Sequence, residues 1–289
     1  MITVIGDLTV DILVQKAETN IGTDTGGKIN CRPGGQANNV ASFISREGVS
    51  CRLIGKVGND LFGNYLIEES KRQGVTPVVT KEDNDKTGSI VLMIDNDTGE
   101  RSMITDRGAN LFLSEKDIQG LDSSELVYLS GYSFFSESTQ KAVRKAKDMA
   151  LAADIPVALD PSSTYFLKDH KDALLEFLDG VTFFFPNYEE GVLLTGEENP
   201  RKILMKLKQL VAVPILKLGE KGCLFFYDGD FVELSPPEVE VVDTTAAGDS
   251  FAGSFLANYV RTKNILESAE RAVEVSSHTC TYVGALPEK

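Results

Sequence analysis

The stretch with the most chemistry in this sequence is 241–251, V-V-D-T-T-A-A-G-D-S-F, where a short β-branched run gives way to small residues. An apolar helical spacing begins at Phe251 and continues through Phe255, Leu256 and Tyr259, so the small residues sit where a strand-end loop opens a helix. The first turn of a helix has backbone N–H groups without intrahelical partners and a partial positive charge, so Ala246, Ala247 and Gly248 can cradle an anion. Asp249, one step further, is a carboxylate beside that anion site, placed to take the proton of a hydroxyl attacking a phosphoryl group. An aspartate in a first helical turn is also favourable on dipole grounds alone, and the stretch by itself leaves both readings open.

The same residues resemble the second signature of the ribokinase-like (PfkB) carbohydrate kinases, D-T-x-G-A-G-D, with Ala246 at the first glycine. In that family the last aspartate is the catalytic base and the Gly-Ala-Gly amides form the anion hole, which the resemblance carries onto Asp249, Gly248, Ala247 and Ala246. Further upstream, P-G-G-Q-A-N-N at 33–39 is similar to the family's first signature, G-G-x-x-x-N, with Gly34, Gly35 and Asn39 as sugar contacts. Paired glycines ahead of a helix permit close approach of a ligand, and Asn39 can both donate to and accept from adjacent hydroxyls. Asp11 matches the aspartate that binds sugar hydroxyls, while Thr9 stands where ribokinases tend to have asparagine.

By the same resemblance, N-Y-E-E at 187–190 matches the N-x-x-E motif, in which Asn187 and Glu190 organise magnesium and phosphate largely through water. Lys217, Gly219 and Gly222, around a hairpin, and His278, in the C-terminal loop, fall on the nucleotide side. Asp243 and the loop 279–284 match a monovalent-cation site, which implies potassium beside ATP and Mg²⁺. Arg107 and Asn110 lie where the chain returns from a lid and could reach the substrate. The turn 57–63, V-G-N-D-L-F-G, matches a family motif whose expected role is structural.

The elements that must hold these residues follow from the pattern. Met1 opens directly on an apolar strand, with two acids, Asp7 and Asp11, expected at its end, where ligands bind in open α/β sheets. The polar, glycine-rich segment 14–32 suits a loop or exposed hairpin, and 89–94 and 101–105 read as strands joined by a turn at 95–100. From 125 onward strands and amphipathic helices alternate, as in a parallel sheet with crossover helices. The expectation is one ribokinase-like α/β unit over 1–289, a doubly wound sheet with helices on both faces, and a small β-sheet lid from about 12–32 and 88–106. Family members often dimerise through such a lid.

At 289 residues, with 42% hydrophobic and 25% charged residues, the chain has the composition of a soluble globular protein, and no apolar run approaches the ~20 residues of a membrane span. Its net charge of −14 disfavours nucleic acid as a partner. Four cysteines without C-x-x-C spacing argue against a disulfide framework or structural zinc, and a strand at the N-terminus with no basic leader points to the cytoplasm. G-x-x-x-x-G-K-[ST], H-R-D and D-F-G are all absent, which sets aside P-loop and protein kinases. The implied activity is ATP-dependent phosphorylation of a hydroxymethyl group on a small sugar. A nucleoside kinase, a 2-keto-3-deoxygluconate-type sugar-acid kinase and a silent sugar-binding regulator are the rivals.

Overall fold

The computed structural model describes residues 1–16, 20, 22–95 and 101–287, so the turn expected at 95–100 falls largely outside the described residues. In chain order the first half comprises β1 (Ile2–Ile5), β2 (Thr9–Lys16), β3 (Gly27–Gly34), α1 (Gln36–Arg46), β4 (Cys51–Gly58), α2 (Leu61–Arg72), β5 (Thr76–Glu82), β6 (Ser89–Asp95) and β7 (Arg101–Asp106). The second half adds β8 (Leu126–Ser130), α3 (Glu137–Ala152), β9 (Val157–Asp160), α4 (Thr164–Phe177), β10 (Phe183–Phe184), α5 (Tyr188–Thr195) and α6 (Pro200–Leu207). It closes with β11 (Val213–Lys217), β12 (Cys223–Tyr227), β13 (Asp230–Leu234), α7 (Ala247–Thr262) and α8 (Ile265–Thr279).

Nine strands form one sheet in the order β13-β12-β11-β10-β9-β8-β1-β4-β5, parallel from β5 to β11 and antiparallel at the β12–β13 edge. Parallel strands covered on both faces are largely apolar, and every residue of β1, β8 and β9 is buried, with Thr3, Ser130 and Asp160 the polar exceptions. One face packs on α1, α7 and α8 through Val40, Ile44, Phe251, Phe255 and Ala272; the other packs on α3, α4 and α6 through Val143, Leu174 and Leu204. Because β1 lies between β4 and β8, the order of winding reverses there, and the crevice at a sheet's reversal point is where ligands bind. No helix among the described residues is long and apolar enough to cross a membrane.

A second, four-stranded sheet has the order β3-β2-β6-β7. The polar segment 14–32, expected as a loop or an exposed hairpin, falls in two paired antiparallel strands, with Asp11 opposite Arg32. Asp11 sits on β2 of this small sheet rather than at the end of a central strand, which differs from the sequence expectation. The reason is local: the chain leaves the large sheet after Ile5, passes Gly6 to Leu8, and immediately pairs with β3 and β6. Asp60, the N-cap of α2, accepts from Gly63 N at 2.7 Å and from Thr87 N at 2.8 Å, tying that helix to the segment leading into β6.

Candidate active site

Asp249 lies in the first turn of α7 and is buried. Its N-cap, Ala246, adopts a left-handed conformation (φ 59°) and makes no side-chain cap, which leaves the start of the helix open. Ala247 N–H is drawn onto Thr244 O at 3.2 Å, and Ser250 N–H onto Ala246 O at 2.8 Å, while the N–H groups of Ala246, Gly248 and Asp249 have no acceptor among the described residues. Within the run Ala246 to Gly248 read from sequence, the N–H of Ala247 is the one engaged among the described residues. A side chain at Gly248 would crowd Lys217, whose Nζ stands 3.1 Å from where a Cβ would be.

Asn39 Nδ2 donates to Asp249 Oδ2 at 2.8 Å, joining the two signature segments across 210 positions of sequence. The other end of the amide, Asn39 Oδ1, is buried with no hydrogen-bond partner. Burial pushes the Asp249 carboxyl up to about 7, reinforced by the charges of Asp160 and Asp7 and opposed by the Asn39 hydrogen bond and by Lys217. A carboxylate near neutrality is matched to accepting a proton from a hydroxyl.

On the side facing the small sheet, Asp11 takes a hydrogen bond from Thr9 Oγ1 at 3.1 Å, and burial raises its carboxyl to about 6. Gly34 lies against that carboxyl, where a Cβ would overlap it. Gly35 has φ 94°, a backbone that favours glycine, and its missing Cβ would meet Asp7 O at 2.6 Å. Arg107 is already engaged within the protein, though its Nε is buried without a hydrogen-bond partner among the described residues. Its Nη1 donates to Asp7 Oδ2 at 3.2 Å, and its guanidinium stacks 3.7 Å above the Tyr132 ring, with Phe135 and Phe166 further out. Asn110, expected to reach substrate, instead donates to Leu8 O and Arg107 O and accepts from Leu8 N; it braces the hinge.

Four residues expected on the nucleotide side, Asn187, Lys217, Gly219 and Gly222, line a cleft of about 680 Å³ together with Thr244, Ala247 and Gly248 and the apolar side chains of Pro236, Val239, Val241, Phe251 and Val273. Asn187 and Glu190 close a capping box at the start of α5, each side chain accepting from the other's backbone N–H at 2.8 Å. Glu190 is buried and its carboxyl is raised to about 7, chiefly by burial and then by Asp160. Lys217 Nζ holds Asp160 Oδ2 at 2.5 Å. His278 departs from expectation: it is exposed, its ring contacts Tyr282, and the cleft is lined instead by Ser276, Ser277 and Cys280. Helix phase explains this, since Val273, Ser276, Ser277 and Cys280 share one face at i, i+3, i+4 and i+7, and His278 falls on the opposite side. Asp243 is buried; Oδ1 accepts from Thr245 N and Oγ1 at 3.0 and 2.8 Å, and Oδ2 accepts from Gly284 N at 2.8 Å.

Two acids without an assigned role in the sequence prove central. Asp7 accepts from Gln36 N and Ala37 N at the start of α1, from Ser130 Oγ at the end of β8 and from Arg107, so it anchors the helix that carries Asn39. Asp160 ends β9 and fixes Lys217. Their shared signal was position: each stands at the C-terminal end of a parallel strand.

The description "pfkB family carbohydrate kinase" matches residues 1–288. Fructokinase-2 of Zea mays is 30% identical, covering 98% of this chain and 89% of that protein. A ribokinase structure from Arabidopsis thaliana, complexed with ribose and ATP, superposes with a TM-score of 0.83 at 25% identity, covering 99% of this chain and 95% of that one. A putative ribokinase II from E. coli in complex with ATP and Mg²⁺ superposes at 0.89 with 24% identity, over 98% of this chain and 94% of that one, which speaks to the fold. With a family match along its length and the second-signature aspartate buried beside open helix amides, this chain belongs to the pfkB family of carbohydrate kinases and is a phosphotransferase acting on a sugar hydroxyl.

Proposed function

We propose that the enzyme transfers the γ-phosphoryl group of ATP to a hydroxymethyl group of a small neutral sugar, as a fructokinase or ribokinase does. The observation that carries this is the Asn39–Asp249 hydrogen bond, because it puts a sugar-reading amide with an unused buried acceptor directly on the carboxylate that must take the proton. The acceptor hydroxyl gives its proton to Asp249 as its oxygen attacks the γ-phosphorus and the bond to the ADP oxygen breaks. The N–H groups of Gly248 and Asp249 hold the charge on the transferring group, and Lys217 adds a positive charge beside them. Asp11, Gly34, Gly35 and Asn39 orient the sugar. Asn187, Lys217, Gly219 and Gly222 border ATP.

Glu190, a buried carboxylate beside Asp160 and Lys217, would hold Mg²⁺ through water. The ion would neutralise phosphate charge when bound. Asp243 with its C-terminal loop is the potassium locus. Arg107, already neutralised by Asp7, supports a neutral rather than an acidic acceptor. The small sheet acts as the lid, and exposed Ile29, Met103 and Ile104 on it suit a homodimer contact. Four free thiols and the use of ATP suit the cytoplasm.

The test is ADP release across a panel of neutral sugars, sugar acids and nucleosides, with Asp249→Asn as the control. Fastest turnover on fructose or ribose, reduced about 10²–10⁴-fold by the substitution, is the expected result. Preference for a nucleoside or for 2-keto-3-deoxygluconate overturns the neutral-sugar assignment. No turnover on any compound, with sugar binding intact, makes the protein a regulator.

A further inference from the structure

We propose that Arg32 is a positioning residue for phosphoryl transfer, a latch from the small sheet to the loop that sets the anion-binding amides. The inference rests on the kinase reading above. Arg32 lies on β3, two positions before Gly34, and pairs across the ladder with Asp11, so the two side chains leave the same face of the sheet. Arg32 nevertheless reaches beyond the acceptor site. Its Nη1 donates to the carbonyl oxygen of Val283, in the turn that follows α8. Gly284, the next residue, has φ 86°, and any Cβ there would overlap the Arg32 guanidinium, so the turn is shaped to receive that group.

The contact continues inward through bonds of ordinary length. Gly284 N–H donates to Asp243 Oδ2 at 2.8 Å, and Asp243 Oδ1 in turn receives Thr245 N–H at 3.0 Å and Thr245 Oγ1 at 2.8 Å. Thr245 belongs to the bend whose next residue, Ala246, is the N-cap of α7. The backbone of Val242 and Asp243 is also tied to Cys280 O, at 2.8 and 3.2 Å, so the bend and the C-terminal turn form one unit. Arg32 thus fixes, from the sheet that carries Asp11, the unit that aims Gly248 and Asp249. A misplacement of about 1 Å in a group acting on the transition state can cost 10²-fold in rate, so losing the latch should appear in kcat and not in ligand affinity.

The experiment compares the parent with Arg32→Ala, Arg32→Lys, Asp243→Asn and the Arg32→Ala/Asp243→Asn double variant, measuring kcat, both KM values and melting temperature. The expected result is a loss of about tenfold or more in kcat for Arg32→Ala, with KM for sugar and ATP within about threefold. Arg32→Lys, which retains a donor for the Val283 carbonyl, should recover part of the loss. The double variant should be no slower than Asp243→Asn alone, because the two residues act in series. Four results would overturn the proposal: a kcat for Arg32→Ala within twofold of the parent, a rise confined to the sugar KM, additive losses in the double variant, or a melting temperature lowered enough to make Arg32 a folding residue. Absence of turnover in the parent on every sugar would strike the kinase reading; only the ratio of variant to parent bears on Arg32.

Discussion

Replacing Asn39 with alanine should move the acid limb of the pH–rate profile upward. Asn39 Nδ2 donates to Asp249 Oδ2 at 2.8 Å, and this is the leading influence holding down a carboxyl that burial has raised to about 7. Hydrogen bonds to charged groups contribute about 1.5–3 kcal/mol, and water entering the space left by the amide recovers part of that, so the lower end applies. At about 1.4 kcal/mol per tenfold, the midpoint rises by about one pH unit. The sign follows from the role: Asp249 must be ionised to accept a proton, so raising its pKa removes active enzyme on the acid side and leaves the alkaline plateau in place. At pH 7 the ionised fraction would fall from about one half to about one tenth, an approximately fivefold loss in addition to any lost sugar contact. The assay is kcat/KM for the sugar across pH, which reports the free enzyme. Because a lost sugar contact lowers the whole curve without displacing its midpoint, the two effects separate. An acid-limb midpoint that is unchanged or lower in Asn39→Ala would refute the claim that this bond tunes the base.

Arg107→Ala leaves the buried Asp7 without its cation, and breaking one partner of a buried pair costs about 3–5 kcal/mol, so the melting temperature should fall by several degrees; an unchanged value would mean that Asp7 is satisfied by its other donors alone. Ala246→Gly should stabilise the fold by about 0.5–1 kcal/mol in denaturant melts, since alanine in a left-handed conformation costs about 1–2 kcal/mol and glycine's extra unfolded-state freedom takes back part of the gain. Loss of stability on that change would show that the loop is unstrained. Potassium should raise the rate over a buffer whose only monovalent cation is tetramethylammonium, by stiffening the loop around Asp243; equal rates would remove the cation from the scheme.

What could be read from sequence was what depends on local spacing. The helix start at Asp249, the paired glycines at 34–35 and the alternating strands and helices after 125 are properties of short windows, where small residues, apolar period and turn chemistry point the same way. Asp11 was placed on the wrong sheet because its window, V-I-G-D-L-T-V-D, is apolar on both sides of the exit, and nothing local says that Thr9 to Lys16 pairs with strands 20 and 80 positions away. His278, expected beside the nucleotide, lies exposed and away from the residues that line the cleft, a matter of helical phase that a short window does not resolve. The deeper gap concerns charge. A net charge of −14 says only that acids outnumber bases, whereas the site depends on which acids are buried beside which base. Lys217 is set on Asp160, and Arg107 on Asp7, each pair brought together from strand ends far apart in the chain. Arg107 is held on Asp7, and burial above all raises the Asp249 carboxyl to about 7; neither could be obtained by counting residues. Which carboxylates share a crevice is decided by the order in which parallel strands are laid beside β1, and that order is a property of the whole sheet rather than of any short window.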